Sequence, residues 1–296
     1  MLERESFFRF FVFGNKGEKM DNLEKFYVNG QVVWRGRLDK VGGVIQKEKP
    51  RFVIRPLNKN DAEDMGKLSE TIYNHLATGE ECFIHKHNQE YYNNVFENDA
   101  IHYIGVFLSS KLIGMSYIRL CNSKETLAEE LPNSPANFFD DKNFVLAAAL
   151  GADSVHPDYR GNHLNQIMIA CRLEYAKELG CSGAFSIIDR SNRWNMPPYF
   201  NNDFHMFATA IDPSDGGKIA LMHHNMKKNK KEISGGIEIP FNRFELIDKL
   251  LDKGYIGQRF DKDTGFIKFV PTKRSVNEIV NNQTAVIFVN KGARCV

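Results

Sequence analysis

At 296 residues, 42% of them hydrophobic and 26% charged, the chain has the composition of an ordinary globular protein with enough length for one large core or one and a half. Its 39 basic and 37 acidic residues nearly cancel to a formal charge of +2, which excludes a strong nucleic-acid or membrane field. The five cysteines, Cys82, Cys121, Cys171, Cys181 and Cys295, are odd in number, widely spaced and without a CxxC pair, so neither a disulfide framework nor a zinc site is indicated and a reducing compartment fits.

In chain order, the apolar stretch Phe7 to Phe13 is interrupted by Arg9, is too short to span a bilayer and precedes no small-residue cleavage signal, so the expectation is a soluble, cytoplasmic protein. A second aromatic, β-prone run, Phe26 to Trp34, is broken by Asn29-Gly30, a hairpin-turn dipeptide. Residues 1–50 therefore read as a small β-rich extension, with a boundary at Lys47 to Pro50. Phe52 to Ile54 reads as a short strand, and Asn60 with Glu63 as a capping box before the helical spacing Met65, Leu68, Ile72, Leu76. Residues 82–97 read as helix, Ile101 to Leu108 and Leu112 to Leu120 as a hairpin around Ser109-Ser110-Lys111, and Asn122 to Asn143, with Pro132 and Pro135, as a long loop with room for one helical turn.

Phe144 to Val155 is an apolar run of strand length, small-residue-rich over Ala147 to Ala152. From Arg160 the pattern is helical, with Leu164, Ile167, Met168, Cys171, Tyr175 and Leu179 on one side and Gly180 as the stop. Ala184 to Ile188 reads as strand, Trp194 to Asn202 as a short helix and Phe204 to Ile211 as strand. After a polar stretch beyond Pro213, holding the solvated run Lys227, Lys228, Lys230, Lys231, Asn242 and Glu245 read as the cap of a helix ended by Gly254. Strands at Tyr255 to Phe260 and Phe266 to Val270 close a C-terminal extension, residues 213–296.

The informative stretch is Val155-His156-Pro157-Asp158-Tyr159-Arg160-Gly161-Asn162-His163-Leu164-Asn165, set between an apolar strand and an amphipathic helix. A strand-turn-helix junction presents backbone N–H groups and the positive end of a helix dipole, which suits phosphate. This stretch resembles motif A of the GNAT acetyltransferases, V-x-P-x-Y-R-G opening a helix. The pattern there continues R-G-x-G-x-G, whereas this chain has His163 and Asn165 where glycine or alanine is usual. Downstream, Asn192, Asn195, Tyr199 and Phe204 are similar to motif B of the same family, with Asn195 in place of the usual alanine and Asp203 in place of the usual glycine.

The resemblance covers residues 51–212 and implies an α/β (α+β) fold, a mixed, largely antiparallel central sheet flanked by helices, splayed beside the strand ending at Val155. It implies acetyl-CoA as co-substrate, with Ser154, Val155, Arg160, Gly161, Asn162, His163, Leu164 and Asn165 along the donor and Asn192 on its arm. Tyr199 would protonate the departing thiolate, since charge develops on sulfur when an amine attacks a thioester. The strand before motif A carries no glutamate, so Asp153 is the candidate base, with Asp189 at the end of the next strand as the alternative. The acceptor would be a small-molecule or peptide amine, and no metal, nucleic acid or membrane is implied. Two rivals are an acyltransferase using a long-chain or carrier-bound acyl donor, and a non-catalytic binding module of the same fold. His85 with His87, and His223 with His224, lack metal-ligand spacing.

Overall fold

The computed structural model describes residues 8–13, 19–78, 86–131, 146–213, 216–226 and 235–272, with side chains from residue 23 onward. Pro132, Pro135, Cys82, Cys295, His85 and the lysine run at 227–231 lie outside the described residues. The chain forms two compact units, residues 1–127 with 145–184 and residues 128–144 with 185–296.

The first unit begins with β1 (Phe8–Phe13), β2 (Lys19–Val28) and β3 (Gln31–Arg37). Val28 faces Gln31 across the Asn29-Gly30 turn, where φ is +51° and +77°, the two positive values a tight hairpin needs. A two-stranded excursion comes next, β4 (Lys40–Val41) and β5 (Val44–Ile45), before β6 (Arg51–Pro56). α1 (Ala62–Tyr73) and α2 (Gln89–Val95) lead to the hairpin β7 (Ile101–Leu108) and β8 (Lys111–Cys121), then α3 (Lys124–Glu130), β9 (Ala147–Val155) and α4 (Leu164–Glu178).

The sheet of this unit runs β1-β2-β3-β6-β7-β8-β9, and every neighbouring pair is antiparallel. Of the N-terminal β-rich stretch, β1, β2 and β3 belong to this sheet, whereas β4 and β5 form a two-stranded sheet of their own. β3 pairs with β6, placing Trp34 opposite Ile54, and both are fully buried. α4 covers one face, where Leu164, Ile167, Met168 and Cys171 pack with Trp34, Leu38, Ile54, Ile104 and Ile113. α1 and α2 cover the other, where Met65, Leu68, Ile72 and Tyr92 pack with Tyr103, Phe107 and Met115. Each such aliphatic side chain taken fully out of water contributes about 1.5–3 kcal/mol before entropy is counted.

The second unit takes up β10 (Gly183–Asp189) and continues with α5 (Met196–Asn201), β11 (His205–Ile211), β12 (Lys218–Asn225), β13 (Ile237–Pro240), α6 (Phe244–Asp252), β14 (Tyr255–Asp261) and β15 (Phe266–Pro271). Its strand order is β10-β12-β11-β14-β15-β13, with α6 against β11 and β14. The fold is mixed α/β and largely antiparallel, with helices on the sheets, in the order expected.

Local expectations shift in five places. The capping box is Asn58 with Asp61, two residues earlier than read, and Asp61 also takes both guanidinium nitrogens of Arg55. Of the helix expected over 82–97, residues 82–85 lie outside the described residues and α2 begins at Gln89, and the helical turn allowed in the loop after Cys121 extends to two turns, α3. α6 starts after Arg243 without a side-chain cap, so Asn242 and Glu245 form no box. The polar stretch beyond Pro213 contains two strands, β12 and β13, that its composition conceals.

Candidate functional site

The strand feeding the motif A turn is not regular. Met115 pairs with Ser154 but Tyr117 pairs with Gly151, so Ala152 and Asp153 together face Ser116 in a bulge, and Ala152 sits at φ +50°. Small residues make this possible. A β-carbon at Gly151 would lie 2.6 Å from the ring and hydroxyl of Tyr117, which crosses the strand there. From the opposite face Arg172 of α4, fully buried, donates to the carbonyl oxygens of Tyr117 at 3.1 Å and Gly151 at 3.2 Å and forms an ion pair with Asp153.

That pair weighs against Asp153 as a base. Its side chain is 3% exposed and bound to a guanidinium that is itself fully buried. Protonating it would strand a buried charge, a loss of about 3–5 kcal/mol. Asp153 serves the bulge. Asp189 is also committed, its Oδ1 accepting from the backbone N–H and hydroxyl of Ser191 at 2.7 and 2.5 Å.

Beyond Val155 the chain turns through a short 3-10 segment, Pro157–Tyr159, tied by His156 N–H to Ile113 and by Tyr159 and Arg160 N–H groups to His156 and Pro157. Arg160 is extended, Gly161 lies at φ +79°, and His163 opens α4 at φ +57° with no side-chain cap. His163 thus holds a left-handed conformation that glycine adopts freely and that histidine tolerates at about 1–2 kcal/mol. Asp203, standing where the second resembled motif has glycine, lies at φ +60°. At His163 and Asp203 the backbone keeps a glycine-type conformation, whereas Asn165 lies within α4.

Charge collects at this turn. Lys111, the first residue of β8, reaches Nε2 of His156 at 3.2 Å and lies 5.4 Å from the centre of the Tyr159 ring, while Arg160 Nε approaches the Val155 carbonyl at 3.4 Å. Among the described residues neither cation has a carboxylate partner. Burial, then the Lys111 charge, pushes the His156 imidazole below its ordinary pKa, against the pull of Asp158. A neutral ring has one lone pair, so it accepts either from Lys111 at Nε2 or from the Asp158 N–H at Nδ1, 3.3 Å away, but not from both.

Of the other expected donor residues, Ser154 and Leu164 are buried, Gly161 is exposed and Asn165 is partly buried on the first turn of α4. Asn162 departs from its expected role. It is buried, and its amide is saturated: Oδ1 accepts from Asp39 and Lys40 N–H groups at 2.7 and 2.8 Å, and Nδ2 donates to the Lys40 and Tyr159 carbonyls at 2.8 and 2.9 Å.

The motif B residues belong to the second unit. Asn192 comes after β10 with its N–H on the Asp189 carbonyl, and Tyr199 sits on α5, buried, with its ring edge-on to Phe204 at 5.0 Å. Pro197 and Pro198 fall in the first turn of α5, where their missing N–H groups cost no intrahelical bond, and the helix is six residues long.

Sequence reasoning passed over Lys111, Tyr117, His156 and Arg172. The last had a signal, since an arginine within a run of helix that is buried from Gln166 to Leu173 needs partners. A cavity of about 250 Å³, lined by Leu57, Phe96, Asp99, His102, Tyr103 and Tyr175 among others, lies at the far end of the same sheet, where β6 ends and β7 begins. It contains none of the expected site residues.

No family model matches the chain, and no curated protein matches it closely enough to count as a relative. Solved structures that it resembles include NAA60 of Arabidopsis thaliana in complex with acetyl-CoA, at 16% identity and TM-score 0.45 over 60% of this chain and 99% of that one. Others are YncA, a putative acetyltransferase of Salmonella typhimurium with acetyl-CoA, at 12% identity and TM-score 0.42 over 61% and 97%, and the PaiA N-acetyltransferase of Thermoplasma acidophilum with coenzyme A, at 19% and 0.40 over 59% and 98%. Similarity at this level assigns no activity to the chain.

Proposed function

We propose that the chain is a GNAT-type N-acyltransferase that moves an acetyl or other short acyl group from coenzyme A to a primary amine by direct attack in a ternary complex. One observation carries this reading: the turn into α4 keeps a left-handed residue where the resembled motif has glycine, and does so beside two cations, Lys111 and Arg160, that have no carboxylate partner among the described residues. A diphosphate meets there a helix N-terminus, backbone N–H groups and positive charge. Ser154, Val155, Arg160, Gly161, His163, Leu164 and Asn165 would line the donor by their backbone or side chains, Asn162 would shape the turn from behind, and Asn192 would meet the coenzyme arm.

Holding amine and thioester together supplies the larger part of the rate, and an acid at sulfur supplies a smaller one. Tyr199 is the candidate acid. With Asp153 and Asp189 bound to other groups, proton removal from the attacking ammonium falls to solvent or to a residue of the acceptor region. The acceptor is a small-molecule or peptide amine, and the compartment is the cytoplasm.

The test is thiol release from acetyl-CoA across a panel of amines. Tyr199→Phe is expected to lower turnover about 10²-fold or more, with little change in coenzyme affinity. An unchanged rate removes Tyr199 from the mechanism. The pairing of Asp153 with Arg172 favours the rival reading of a non-catalytic module, for which mixing with acetyl-CoA would give neither a calorimetric signal nor a thermal shift.

A further inference from the structure

The excursion between β3 and β6 has no part in the resembled motifs, yet its atoms determine the shape of the donor turn. Its base is closed by Leu38 N–H on the Pro50 carbonyl at 2.9 Å and Gln46 N–H on the Asp39 carbonyl at 2.9 Å. Its first strand docks on the turn. Gly42 N–H donates to the Asp158 carbonyl at 2.7 Å, and Asn162 spends all four of its amide hydrogen bonds on Asp39, Lys40 and Tyr159. Val41 packs on the core that includes Leu38 and Tyr159. The tip is open: no atom lies within 4 Å of a β-carbon built on Gly42 or Gly43, and Val44 and Ile45 are 64% and 74% exposed.

Asn162 stands between two left-handed residues, Gly161 at φ +79° and His163 at φ +57°. A turn of that kind is strained at His163 and persists only when its surroundings over-determine it. The groups that do so are 122 and 123 residues away in the chain. We propose that Asn162 and the β4–β5 hairpin form a latch that holds the turn 157–163 in its phosphate-receiving shape, making residues 39–45 a positioning part of the donor site. The latch rests on the reading of this turn as a coenzyme site. Asn162 is a positioning residue, since its own amide is already satisfied.

The experiment measures coenzyme A affinity by calorimetry and amide hydrogen exchange in the wild-type chain and in two variants. One is Asn162→Ala. The other replaces residues 41–45, of which Val41 is half-buried and Gly42 to Ile45 are exposed, with a Gly-Ser link, leaving Asn162 in place; a largely solvent-exposed tip tolerates such a change, so this variant decides if the first fails to fold. Both should weaken coenzyme binding about tenfold or more, with faster exchange confined to 157–163 and 39–46 and the β7 and β8 amides unchanged. Wild-type affinity in either folded variant overturns the latch, as does unaltered exchange at 157–163. If the wild-type chain itself binds no coenzyme, the functional reading fails and the donor role of the hairpin with it, whereas loss of binding in the variants alone is the result the latch requires.

Discussion

The bulge at Gly151–Asp153 and the turn at His156–His163 are three residues apart and are built on opposite principles. In the bulge every polar group that sequence marks as chemical is consumed: Asp153 by Arg172, the Gly151 carbonyl by the same guanidinium. In the turn the backbone and one amide do the holding, and the charged side chains Lys111 and Arg160 are left without carboxylates among the described residues. A buried charge must be paired or it destabilises the fold, whereas an exposed one can wait for a ligand. The lesson concerns where to look for function. A carboxylate inside the sheet is tied into the scaffold, and the less regular stretch beside it is where the proposed recognition surface lies.

The sharpest way to break this contrast is at Arg172. Arg172→Ala should lower unfolding free energy by about 3–5 kcal/mol, because it leaves Asp153 buried without a counter-charge; denaturant melts check it, and Arg172→Met combined with Asp153→Asn should recover part of the loss. Gly151→Val comes next. Its β-carbon would meet the Tyr117 ring at 2.6 Å, and overpacking of this kind destabilises by about 1–3 kcal/mol. In the turn, His163→Val should destabilise by about 1–2 kcal/mol, since a β-branched residue resists positive φ, while His163→Gly should stay within about 1 kcal/mol of the wild type.

Lys111→Gln should leave the melt unchanged and weaken coenzyme binding a few-fold at low salt, with the difference shrinking at high salt. The smallest effect is on acid stability. His156 and His102 both titrate below the ordinary value of 6.5 in the fold, chiefly through burial. The unfolded chain therefore takes up protons first as pH falls, and the stability these rings contribute is present above about 6.5 and lost below it. Replacing both by Gln should flatten that slope in melts run from about pH 7.5 to about pH 5.

Much of the fold is local and for that reason legible. Asn29-Gly30 demands a hairpin, Gly180 and Gly254 stop their helices at φ +86° and +79°, and the spacing from Leu164 to Tyr175 calls for α4. Less legible is the part that depends on distant partners. β12 hides because Lys218–Asn225 mixes four apolar residues with two histidines, and pairing with its neighbours β10 and β11 makes it a strand. The capping box slid from Asn60 to Asn58 because Arg55, three residues upstream, anchors Asp61. At the site, the left-handed residues were foreseeable from the glycines they replace. The fates of Asp153 and Asn162 were not, since their partners stand 19 and up to 123 residues away.

The central claim is that the turn into α4 receives the coenzyme, and amide exchange with and without coenzyme A tests it most directly. Slowed exchange centred on residues 156–166, reduced in Arg160→Ala, is the predicted result. Saturating coenzyme A with no protection there, or protection confined to the cavity at Leu57, His102 and Tyr175, would contradict it.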